Sequence, residues 1–157
     1  MMTSIKKALL IPAAALLFIG TAQANDTMDI NRIDQILEQT SAYGFTHLEE
    51  IEIKRQGHAE VEGWLDDEWN AEVRFDLENG DTLSEKRERL ITGAWGMSDE
   101  EVRSAFELAR SEGMTTFEEI AIDESGMIDI EGRDANGREI EIRLRQGAAQ
   151  ISHIERD

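Results

Sequence analysis

The chain has 157 residues, of which 34 are acidic and 16 basic, a formal net charge of −18. It contains no cysteine, which excludes disulfides, thiolate metal sites and an acylated lipoprotein cysteine. A chain this acidic repels nucleic acid and anionic membrane surfaces and attracts cations and basic proteins; solubility in a salty medium would need the same composition.

The first stretch reads as a targeting segment. Lys6 and Lys7 form a positive start, residues 8–20 an apolar core interrupted by Pro12, and Ala22-Gln23-Ala24 a small-x-small cleavage site. The apolar core falls short of the roughly 18 residues needed to span a bilayer. The expectation is a cleavable signal peptide over residues 1–24, cut between Ala24 and Asn25, and a periplasmic or secreted product. Losing Lys6 and Lys7 with the leader makes the balance two charges more negative. Residues 25–157 suffice for one compact core.

Ile30, Ile33, Ile36 and Leu37 fall at helical spacing after the candidate caps Asn25, Asp26 and Thr27, and Gly44 supplies a stop. These predict a helix over 28–43. Alternation then takes over. Ile51 and Ile53, then Ala59, Val61 and Gly63, then Ala71, Val73, Phe75 and Leu77 alternate with charged residues, the period of an antiparallel sheet with one wet face. Turns fall at Arg55-Gln56-Gly57, at 65–68 and at Asn79-Gly80. A short fourth strand is expected near 82–86. Residues 89–97 read as a connector that packs down, with Trp95 in the core.

Ser98-Asp99-Glu100-Glu101 fits a capping box, and Val102, Ala105, Phe106 and Ala109 share one helical face before Gly113. Strands are predicted at 119–123, 127–131, 138–145 and 148–154, with Asn136-Gly137 as a hairpin turn. Ile120, Ile122, Ile128, Ile130, Ile140, Ile142 and Leu144 form the predicted inward set.

One stretch occurs twice. Residues 44–53 (GFTHLEEIEI) return as 113–122 (GMTTFEEIAI), an offset of 69 positions. At the same offset Gly57 meets Gly126, Glu62-Gly63 meets Glu131-Gly132, Glu72 meets Glu141 and Arg74 meets Arg143. The fold expected from this is α+β, a tandem repeat of a helix packed on a three- or four-stranded antiparallel sheet. Its units would be residues 25–88 and 98–157, joined by 89–97.

The helix ending in Gly44, the run Phe45 to Glu52, and Ala71-Glu72-Val73-Arg74-Phe75-Asp76 leading to Glu78-Asn79-Gly80 together resemble a PepSY domain. The second copy, from Ile128 through Asn136-Gly137 to Ile142, resembles the same hairpin more closely. It departs from the pattern at Gln146-Gly147-Ala148-Ala149, where an Asp-x-x-Thr-Gly turn is usual. The resemblance implies exported or envelope proteins associated with propeptides and with inhibition of peptidases, and no catalytic residues. The tandem arrangement is also similar to the beta-lactamase inhibitor proteins, which bind an enzyme across a concave sheet.

Glu62, Glu72, Arg74, Glu131, Glu141 and Arg143 share the outward parity of neighbouring strands. They form either a cross-strand charge ladder or a polar face that grips a partner. Trp64 and Trp69 flank a hairpin where the second copy has Arg133 and Arg138, so the scaffold does not require tryptophan there, and aromatic anchors suit a binding surface. His47, His58 and His153 match no zinc spacing. The runs 123–126 and 134–137 lack the closing glutamate of an EF-hand. No nucleophile elbow, phosphate loop or His-Glu-x-x-His motif is present. The functional expectation is therefore a non-enzymatic exported module, without a cofactor, that binds a protein or peptide partner in the cell envelope, a peptidase among the candidates. The alternative is an acidic cation-binding envelope protein, calcium being the natural example.

Overall fold

The computed structural model describes residues 27–157. The expected leader and cleavage site lie outside the described residues, as do Asn25 and Asp26. No helix among the described residues is long and apolar enough to cross a membrane.

The helical period before Gly44 begins later than its apolar spacing suggests. Met28–Asp29 is a two-residue strand, β1, and Ile30–Arg32 a single 3₁₀ turn whose entry is capped by the Asp29 carboxylate, which accepts from the Asn31 N–H at 2.8 Å. The helix α1 spans Ile33–Tyr43 and ends at Gly44, whose φ of 117° gives the left-handed stop. It buries Ile33, Ile36, Leu37 and Thr40. Strands β2 (His47–Lys54), β3 (His58–Trp64), β4 (Trp69–Asp76) and β5 (Thr82–Arg89) follow as antiparallel neighbours. The fourth strand is a full eight residues, exposed along its whole length.

The capping box at Ser98 starts α2 (Asp99–Ser111): Ser98 Oγ accepts from the Glu101 N–H at 3.2 Å, and Glu101 accepts from the Ser98 N–H at 2.8 Å. Strands β6 (Met114–Ile122), β7 (Met127–Asp134), β8 (Glu139–Arg145) and β9 (Ile151–Arg156) complete the chain.

The expected tandem repeat of a helix on a three- or four-stranded sheet is not the fold. The described strands make one nine-stranded sheet in the order β5-β4-β3-β2-β6-β7-β8-β9, with β1 paired to β6, and the helical part is two short helices. The reason lies at the seam. Strands β2 and β6, the first strand after each helix, pair with one another through Glu50 with Ala121, Ile51 with Ile120 and Glu52 with Glu119. An edge left open would expose unpaired backbone groups. At this seam those groups satisfy each other. Beyond these three pairs, β1 continues the partnership along β6 (Met28 with Phe117). Met97 closes the start of β2, exchanging two backbone hydrogen bonds with Leu48 at 2.7 and 2.8 Å.

Both helices lie on one face, and a single apolar core runs beneath them. It joins Ile36, Leu37, Ile51, Val61, Val73 and Phe75 with Val102, Phe106, Phe117, Ile120, Ile130 and Ile142. Phe106 and Phe117 pack with ring centroids 4.7 Å apart. The helices are tied to each other by Arg103–Asp34 at 2.7 Å and Ser41–Asp99 at 2.8 Å. Trp95 packs partly buried against this core, whereas Ile91 in the same connector is fully exposed.

Two β-bulges set which residues face outward. In β2, Leu48 pairs with Gly63 and Glu50 with Glu62, so Glu49 is an extra residue; in β6, Phe117 pairs with Gly132 and Glu119 with Glu131, so Glu118 is extra. The double glutamate of each LEE or FEE run is therefore divided. One carboxylate sits in the bulge and the next opens the outward row. Gly63 and Gly132 make the bulges possible, because a Cβ at either would lie 2.2 Å from a backbone carbonyl oxygen, of His47 and Thr116 respectively.

Candidate functional site: the uncovered acidic face

Among the described residues no helix or strand covers the face opposite the helices, and the strand register arranges its side chains in rows. One row runs Glu60, Glu52, Glu119, Glu131, Glu141, Glu155 across β3, β2, β6, β7, β8 and β9, each residue directly opposite the next. Arg74 of β4 precedes Glu60 in the same row. Neighbouring strands lie about 4.8 Å apart, so six carboxylates stand abreast at close to van der Waals spacing of their stems. The adjacent row carries Lys86, Glu72, Glu62 and Glu50, then Ala121, Asp129, Arg143 and His153.

The β3 end of the long row is neutralised and its centre is not. Glu60 accepts from Arg74 Nε at 3.1 Å and lies 3.5 Å from Lys54 Nζ, which also pairs with Glu52. Burial alone would lift the Glu60 carboxyl, but the Arg74 hydrogen bond and the Lys54 charge hold it below its ordinary value. Toward β8, Arg143 bonds Glu141 at 3.0 Å. At the centre, partial burial and then the charges of Glu50, Glu131 and Glu52 push Glu119 up to about 7, against the opposing charge of Lys54. Glu131 is raised by burial and by Glu141 and Glu118; Glu50 and Glu62 are raised by burial and by their carboxylate neighbours.

Two hollows meet at this centre. One, of about 680 Å³, is lined by Glu52, Lys54, Arg55, His58, Arg74, Glu118, Glu119 and Glu131. The other, of about 620 Å³, is lined by Glu118, Glu119, Glu131, Glu139, Glu141 and Glu155. They share Glu118, Glu119 and Glu131 at the β6–β7 boundary. Among the described residues no group of three or more His, Asp or Glu side chains is arranged to hold a metal ion.

The structure gathers Glu62, Glu72, Arg74, Glu131, Glu141 and Arg143 on this one face, in two adjacent rows. Neither tryptophan offers an exposed ring to this face. Trp64, expected at a contact surface, is fully buried, and its indole N–H donates to Glu49 Oε1 at 3.2 Å. Asn70 Nδ2 donates to the other Glu49 oxygen at 2.7 Å, so the bulge carboxylate is satisfied inside the protein. A carboxylate fixed in that bulge calls for a donor, and the indole, on the outward parity of β3 yet fully buried, provides one. At the corresponding place in the second half Arg133 Nε meets Glu118 at 3.0 Å. Trp69 is 40% exposed but shares the parity of Ala71, Val73 and Phe75, the helix-covered side, so it does not belong to the acidic face.

Periodicity assigned outward parity strand by strand. It missed the long row, and with it Glu52, Glu60, Glu119 and Glu155, because a row across β2 and β6 exists only once those strands pair. The signal was present in the doubled EE-I-x-I string, whose second glutamate and following alternate residue face outward in both copies.

No protein-family model matches this chain, and no curated protein sequence matches it. Among solved structures, it is similar to a crystal structure of a candidate lipoprotein from Clostridium difficile 630. The likeness has a TM-score of 0.47 and 17% identity, over 87% of this chain and 97% of that one.

Proposed function

We propose that the protein is a non-catalytic binding module of the cell envelope whose open sheet face docks a cationic polypeptide segment, rich in Lys or Arg. The observation that carries this reading is the row of six carboxylates, from Glu60 to Glu155, across six adjacent strands on a face that no helix covers. Like charges this close repel, and a design for stability alone would alternate them. Arg74 and Lys54 do this at one end, while the centre is left acidic. A guanidinium or ammonium set against Glu119, Glu131 and Glu141 would relieve the repulsion, so binding energy is already stored in the free protein. Charge complementarity of this kind favours fast, salt-sensitive association.

Export rests on the leader-like residues 1–24, and an envelope peptidase as partner rests on the PepSY resemblance of Phe45–Glu52 and Ile128–Ile142. Both are part of this proposal.

The test is calorimetric titration of the mature chain with a decalysine peptide and with a decaglutamate control, at low and at high salt. Decalysine should bind, lose affinity steeply with salt, and bind more weakly to a Glu131→Gln, Glu141→Gln double variant. Affinity unmoved by those two substitutions would refute the docking face. A stoichiometric calcium site in the same calorimeter would favour the cation-binding alternative instead.

A further inference from the structure

We propose that the middle of the carboxylate row, Glu119 flanked by Glu52 and Glu131, is the proton-responsive point of the docking face. The docking face would then give up charge in a mildly acidic medium and loosen its grip on a cationic segment. The inference rests on the docking reading above.

The geometry comes first. Glu119 stands directly opposite Glu52 on β2 and directly opposite Glu131 on β7, so its carboxylate has a like charge on both sides. Glu50 adds a third from β2, and Glu118 lies beside it in the bulge of β6. The cationic groups facing it are Lys54 on β2, with Arg74 on β4 across the shared hollow and Arg55 in the turn between β2 and β3; His58 on β3 lines the same hollow. Lys54 is bonded to Glu52 and Glu60, and Arg74 to Glu60, so their charges are largely spent at the β3 side of the row. On the β7 side Arg133 is committed to Glu118 and Glu139. Three carboxylates abreast with their cations drawn to one end cannot all ionise at the ordinary carboxylate value. The lift of Glu119 to about 7, with Glu131 and Glu50 also raised, agrees with that arrangement. Glu119, with a carboxylate opposite it on each side, is the place in the row where a proton is held. A bound cationic side chain would stabilise the ionised row and expel the proton, and by linkage proton uptake weakens binding.

Two measurements on the full mature chain test this. Carbon-detected NMR of the glutamate side-chain carboxyls should show one resonance titrating near neutrality, lost in Glu119→Gln. Decalysine affinity, at fixed ionic strength, should fall about fivefold from pH 8 to pH 5.5, the weight of roughly one screened ion pair. Glu119→Gln should reduce that dependence and retain the remaining binding. All carboxyls titrating in the ordinary range would overturn the proposal. So would decalysine binding that is unchanged between the two pH values, which would leave the docking reading standing. Failure of decalysine to bind at either pH would overturn the docking reading itself and the gating with it.

Discussion

Gly63 controls the geometry on which the acidic face depends, and replacing it with alanine isolates that role. Its conformation is ordinary strand; what it provides is room. A Cβ there would lie 2.2 Å from the His47 carbonyl oxygen and 3.1 Å from both the Leu48 Cα and the Phe45 ring. Ordinary contact begins near 3.4 Å, so the β2 backbone would have to retreat by roughly 1 Å. That backbone is held from both sides. Thr46 donates to the Trp64 carbonyl at 2.7 Å, and Leu48 is bridged to Met97. Overpacking of this kind costs about 1–3 kcal/mol, and here it is resisted by backbone, so the expected loss is about 2–3 kcal/mol after the small gain from a less flexible unfolded chain. Gly57→Ala is the control. Its φ is 72° but nothing lies within 4 Å of the added methyl, so it should cost only about 1 kcal/mol for the left-handed backbone. Urea unfolding followed by tryptophan fluorescence measures both, since Trp64 is buried in the native state. A Gly63→Ala midpoint no lower than that of Gly57→Ala would refute the account of the bulge, and with it the reason that Glu50 faces outward.

The raised Glu119 carboxyl makes stability depend on pH with a definite sign. The folded chain keeps a proton that the unfolded chain releases near 4.5, so stability is fully present below that value, declines as pH rises to about 7, and is level above. A lift of this size corresponds to about 3 kcal/mol in full, which solvent screening at a half-exposed face reduces to about 1 kcal/mol. Glu119→Gln should flatten the profile and be the more stable protein at pH 8; parallel profiles would sink this assignment. Trp64→Ala should cost about 3–5 kcal/mol, whereas Trp69→Ala should cost under about 1 kcal/mol. Neither should alter decalysine affinity in the molecules that remain folded, and a large loss of affinity in Trp69→Ala would return that residue to the contact surface. Reversing the Arg74–Glu60 pair by Arg74→Glu should raise decalysine affinity by adding a carboxylate to the row; a weakened complex would argue against simple charge complementarity.

Much of the local structure was legible. The capping box at Ser98, the stop at Gly44, the Asn136-Gly137 turn and the inward alternation of Ile128, Ile130, Ile140 and Ile142 are short-range features, decided by backbone geometry and burial within a few residues. The helix start was misplaced, because Met28 and Asp29 obey a helical spacing yet find their backbone partners on β6, some ninety positions away. The glutamates of the doubled stretch read as a strand entrance. They are that, but the bulge turns Glu49 to the buried Trp64 and Asn70 and leaves Glu50 opposite Glu62 in the outward row. A strict period of two has no way to represent an extra residue.

By itself the sequence determined the acidity of the chain, the two helices, the identity of most strands and the side of each strand that would be wet. Those follow from composition, caps, turns and a period of two. The tertiary structure decided that β2 and β6 pair and close one sheet. Strand pairing is a non-local choice: Ile51 meets Ile120 because joining two open edges satisfies their backbone groups and merges two apolar layers into one core. That single contact turns scattered outward glutamates into one uninterrupted row, and the chemistry proposed for the face follows from it.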